Sequence, residues 1–138
     1  INYVKEIYGM ARQGMTPVLL HAAAFDTSFS KIVLIEPYSS YRSIGITRFY
    51  NPTFIEGTVP SALTGYDLPD LAASLAPRRL VIINPTDGAG NYSSDSEIIL
   101  EDINVIKEGY KSRQSDEHLT VIFNKATNNF YDQIRLSE

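Results

Sequence analysis

The residues with the earliest chemical promise are Tyr8-Gly9-Met10-Ala11-Arg12-Gln13-Gly14-Met15, "YGMARQGM", set between a short apolar segment and a helix-like pattern. Two templates fit them. One is the nucleophile elbow, Gly-x-Ser-x-Gly, in which a sharp strand-to-helix turn lifts a serine hydroxyl into the site. Gly9 is then the first glycine, Ala11 takes the serine position, Gln13 replaces the second glycine and Gly14 follows one residue later. Alanine carries no nucleophile, so on this template the reaction is disabled at its first step. The other template is the dinucleotide fingerprint Gly-x-Gly-x-x-Gly, which Gly9-x-Ala11-x-x-Gly14 fits with one substitution. Glu36 stands about where a ribose-binding acid is expected, roughly 20 residues on. A methyl group at residue 11 crowds the pyrophosphate approach. A plain tight turn, with glycines for geometry alone, is the third reading.

Two further positions bear on the choice. "RLVIINPTDGAG" places Asp87 just past an apolar strand, the address of a hydrolase triad acid, although Asp-Gly is also a common turn. After "LTVIFN" a triad histidine is due, and Asn128 falls where it belongs, with Phe130 keeping an aromatic nearby. Asparagine has no titrating nitrogen and cannot serve as a general base. The two histidines do not replace it. His21 lies in the middle of a helical pattern, off its apolar stripe, and His118 precedes the last strand at its amino end. They lack the His-x-x-x-His spacing, and with no cysteine in the chain no metal site or cofactor is expected.

The elements that must position these residues alternate. Val4–Tyr8 reads as a short strand, and Gln13–Phe25 as a helix with Met15, Val18, Leu19, Ala22 and Ala23 on one stripe. "KIVLIE", Lys31–Glu36, is a continuous apolar run of the kind buried in parallel sheets. A long irregular stretch rich in Tyr, Pro and Gly runs from Pro37 to about Ser61. Asp67–Leu75 reads as a helix capped by Asp67 with Pro69 in its first turn. Arg79–Asn84 is a third strand, with Arg78-Arg79 as its polar lead-in. Ser94-x-x-Glu97 reads as a capping box opening a helix with the stripe Ile99, Ile103, Ile106 and Tyr110, and Gly109 as its stop. Leu119–Phe123 is a fourth strand and Asn128–Leu136 a final helix. Alternation of this kind predicts one α/β domain over residues 1–138: a three-layer sandwich, a mainly parallel sheet of about four strands with helices on both faces.

Composition bounds the partners. The chain has 138 residues and a net charge of −4, with no basic cluster of the kind that binds nucleic acid. No apolar run approaches the roughly 20 residues of a membrane span.

The run "IEPYSSYRSIGITRFYNPTFIEGTVPSALTGYDLPDLAASLAPRRLVIINPTDG" resembles α/β-hydrolase-fold esterases of the acetyl xylan esterase-like kind, common in polysaccharide-degrading gut bacteria. "YDLPDLAASLAPR", followed by a strand and Asp87, is the most specific part, and the likeness extends from about Val4 to Tyr131. It implies the second half of a hydrolase domain, from nucleophile strand to final helix, hence a partial domain. Carried across, Asp87 matches the triad acid, Ala11 stands where the family has its serine and Asn128 where it has its histidine. The resemblance therefore implies a catalytically degenerate esterase-like module of a carbohydrate-degrading system, periplasmic or secreted, with a glycan or polysaccharide ester as its ligand. Two alternatives stand beside it: an active esterase in which Asp87 works directly on water, and a dinucleotide-binding module. The nucleophile strand is central in a complete hydrolase, so Val4–Tyr8 is expected to have an edge covered by a missing N-terminal half or by the mate in a homo-oligomer. Tyr38, Tyr41, Phe49 and Tyr50 form either a sugar-facing wall or part of the core.

Overall fold

The computed structural model describes residues 6–124. Four strands, β1 (Ile7–Arg12), β2 (Phe29–Ile35), β3 (Arg79–Ile83) and β4 (Leu119–Ile122), pair in parallel in the order β1-β2-β3-β4. Between them run α1 (Thr16–Phe25), α2 (Tyr41–Ile46), α3 (Leu68–Ser74) and α4 (Glu97–Ser112). The parallel α/β class read from the sequence is what the chain adopts.

The strand order decides which face the helices occupy. Each crossover steps to the next strand in one direction, and right-handed crossovers then all fall on one side. Leu20 and Ala23 of α1, Leu68 and Ala72 of α3, and Ile99, Ile103 and Ile106 of α4 accordingly pack on Ile32, Leu34, Leu80 and Ile82. The opposite face carries Val33, Ile35, Val81 and Ile83, with Ile122 against them. Among the described residues no helix packs there, so helices are seen on one face where both were expected. The final helix expected over Asn128–Leu136 lies outside the described residues.

Local chemistry explains most element boundaries. The Asp67 carboxylate accepts from the backbone N–H groups of Tyr41 (2.7 Å), Arg42 (3.1 Å) and Leu68 (2.7 Å), so it serves the N-termini of both α2 and α3. Asp70 returns the bond to the Asp67 N–H, completing a capping box. The stripe Ile99, Ile103, Ile106 and Tyr110 is buried as expected. The expected box at Ser94 is not formed: α4 starts at Glu97 after Ser96, which makes no side-chain cap. Gly109 is no stop either. A Cβ there would meet the Ala73 Cβ at 2.5 Å, so the glycine lets α4 lie against α3. In α1 the buried line is Thr16, Pro17, Leu20 and Ala23, while Met15, Val18 and Ala22 are exposed. That helix is apolar nearly all round, and periodicity alone selects no face.

The largest shift is at β1, which spans Ile7–Arg12 rather than Val4–Tyr8. Its ladder with β2 continues through Ala11↔Leu34 to Arg12↔Ile35. β1 stands at the edge of the described sheet, with Ile7, Tyr8 and Met10 exposed. Among the described residues no helix is long and apolar enough to cross a membrane.

Candidate functional site

Parallel sheets place their sites beyond the carboxyl ends of the strands. Here three successive strands end in the same way. Gln13, Glu36 and Asn84 have φ of 49°, 50° and 49°. Arg12, Ile35 and Ile83 are register partners, so the three left-handed residues stand level, one beyond each strand. An L-residue in this region costs about 1–2 kcal/mol. Three side by side are a large outlay for one edge, and such strain concentrates at functional sites.

The surroundings hold the bends in place. The Glu36 N–H donates to Ile83 O and the Asn84 N–H to Ile122 O, both at 2.8 Å, which extends the ladder one step past each strand. Prolines follow both residues, and the paired segments rejoin beyond them, with the Thr86 N–H on Pro37 O (2.8 Å) and the Ser39 N–H on Thr86 O (2.9 Å). Tyr38 and Tyr41 are buried against this join, and Tyr38 stacks at 4.5 Å on Phe54. Burial pushes the Tyr41 phenol up to about 12 and raises that of Tyr38 further. These two belong to the core, whereas Phe49 and Tyr50 are exposed.

Two side chains of the row, Gln13 and Glu36, form a polar cluster with Arg12. Glu36 Oε2 accepts from Arg12 Nε and Gln13 Nε2, each at 3.0 Å, with Arg12 Nη2 also 3.0 Å away. The Glu36 side chain is 13 % exposed and that of Arg12 58 %. Asn84 is fully buried; its Oδ1 accepts from the Asn124 N–H at 2.6 Å, and its Nδ2 has no partner among the described residues.

The residues singled out by sequence fall differently. Ala11 lies inside β1, two residues before the bend, so the strained strand-to-helix position is Gln13. Gly9 is also inside the strand, where a Cβ would meet Leu19 Cδ1 at 2.7 Å; it makes room for α1 rather than for a phosphate. Asp87 does sit just past β3. Its Oδ1 accepts from the N–H groups of Ala89 (2.9 Å) and Asn91 (3.0 Å), closing its own turn. Gly88 must be glycine, because a Cβ would meet Ser43 O at 2.4 Å. Asn128 lies outside the described residues. Neither histidine reaches the edge. His21 bonds Pro17 O (2.7 Å) and the Tyr66 hydroxyl (2.8 Å), and His118 bonds Pro77 O (2.6 Å) at the amino end of the sheet. Among the described residues no three His, Asp or Glu side chains converge as metal ligands do.

Sequence reasoning passed over Arg12, Gln13 and Asn84. The available signal was the repeat of an apolar run ending in a polar residue and proline, Glu36-Pro37 and Asn84-Pro85.

Fold and edge together define a parallel α/β protein with a strained, polar carboxyl-end row. The chain matches no protein-family model, no curated protein and no solved structure.

Proposed function

We propose that this chain is a catalytically degenerate, esterase-like α/β-hydrolase module of a carbohydrate-degrading system. One observation carries the reading: the strand-to-helix bend, where a hydrolase lifts its nucleophile, exists at Gln13 in its strained form but presents an amide. On this reading the vacant nucleophile position falls at Gln13, two residues beyond the Ala11 to which the resemblance assigned it. An amide cannot form an acyl-enzyme, and Glu36 and Arg12 already engage its neighbourhood. Asp87 keeps the triad-acid address, and Asn128 remains the proposed vacant base position. The exposed edge at β1 fits a joint to a preceding half of the sheet or to a second copy.

The test is turnover of p-nitrophenyl acetate and of an acetylated xylo-oligosaccharide by the purified chain. The expected rate equals that of a protein-free control with both esters. A measurable rate that disappears in Asp87→Asn would instead establish the active reading, in which Asp87 works on water directly.

A further inference from the structure

The amino end of the sheet, on the face away from the helices, holds a second row. Register sets Tyr8 beside Lys31 and Lys31 beside Arg79. The β3–β4 ladder begins at Leu80↔Leu119, so His118 continues the row next to Arg79. Three basic side chains thus succeed one another across neighbouring strands, an arrangement that by itself opposes pairing. All four line one cavity of about 700 Å³, whose apolar wall includes Met10 and Val33.

Lys31 is the decisive residue. It is only 7 % exposed, yet among the described residues its ammonium makes no hydrogen bond or ion pair. Its stem is covered while its ammonium still reaches the open cavity, so the charge stays hydrated and accessible to a ligand there. The other charged lining groups leave the wall positive on balance. Glu6, the acid in the wall, accepts the Tyr8 hydroxyl at 2.7 Å. Arg78 adds a further cation, its guanidinium donating to the carbonyls of Ala23, Asp26 and Phe29. The Pro77 carbonyl can only accept, so His118 holds a proton on Nδ1 and keeps Nε2 for another contact.

We propose that this cavity binds a small organic anion, its phosphate or carboxylate group held by Lys31 with Arg79 and His118, and its apolar body laid on Met10 and Val33. The volume is in the range of small-molecule sites, roughly 300–1,000 Å³. The site lies at the opposite end of the sheet from the Gln13 bend, so it stands whether or not the esterase-like reading does.

Calorimetric titration of the whole chain with phenyl phosphate, benzoate and inorganic phosphate tests it. Saturable one-to-one binding of phenyl phosphate or benzoate is expected, and the tighter of the two identifies the anionic group. Inorganic phosphate, lacking the ring, is expected to bind more weakly than phenyl phosphate. In Lys31→Met, which keeps the stem and removes the charge, binding is expected to weaken by about tenfold or more. Without ligand that variant is expected to melt close to the wild type, because it keeps the covered stem and removes only an ammonium that reaches solvent in the cavity. Arg42→Gln, on the helix-covered side, is expected to leave binding unchanged. Should Lys31→Met not fold, Arg79→Gln is held to the same tenfold criterion. No saturable binding of either aromatic anion, or equal binding by wild type and charge-removed variant, overturns the proposal.

Discussion

At the carboxyl end of the sheet, Gln13, Glu36 and Asn84 form a level row whose carboxylate is met by Arg12 and Gln13. At the amino end, Tyr8, Lys31, Arg79 and His118 form a level row in which cations stand side by side. The first row carries its tension in the backbone, three residues at φ near 50°, while its charge is neutralised from within. The second has ordinary extended backbone in β2 and β3 and gathers like charges, Lys31 beside Arg79, on one cavity wall. The strained backbone is held by the ladder bonds of Glu36 and Asn84 and by the prolines that follow them. Like charges set side by side are different, since an anion between them would relieve their repulsion. The carboxyl edge is thus closed on itself, and the amino-end cavity is where the proposed anion would sit.

Substitutions at the two ends should separate these cases. The largest effect is expected at Asn84→Val. A β-branched residue would be forced to positive φ and the Asn124 N–H would lose its acceptor, together costing about 3 kcal/mol in denaturant unfolding. A cost near zero would mean that the Asn84 bend is relaxed. Glu36→Gln is expected to cost less, about 1 kcal/mol, because Arg12 is half in solvent. That cost should shrink as salt is raised, since an exposed guanidinium is screened. A loss well above this, independent of salt, would show the pair acting as a buried one.

The strands were legible because buried parallel strands are unbroken apolar runs, and "VLI" and "LVII" can sit nowhere else. The α3 cap was legible because Asp, Pro and Asp at that spacing perform one local task. "YDLPDLAASLAPR", on which the family resemblance chiefly rests, proves to be scaffold: Asp67 caps two helices, the Tyr66 hydroxyl meets His21, and Arg78 binds the carbonyls at the end of α1. It therefore speaks for a fold and says little of chemistry. The limits of β1 were not legible, since Gly9 and Gly14 look like the rims of one turn. Only pairing with β2 reveals that Gly9 is in the strand and Gly14 in the turn. Both rows were hidden for the same reason. Arg79 and His118 were rightly placed at strand starts, but cross-strand register brings them level with Lys31, and no local pattern encodes register.

The central claim is that the strained bend belongs to Gln13 and that Ala11 is strand. Glycine and valine at each position test it most directly, with stability measured by urea unfolding. At residue 13 both variants lose the bond to Glu36, so their difference isolates the backbone, and glycine is expected to be the more stable by about 2 kcal/mol. At residue 11 the order should reverse, with valine ahead by about 1 kcal/mol, as in a strand. Glycine preferred at 11 and valine at 13 would contradict the account.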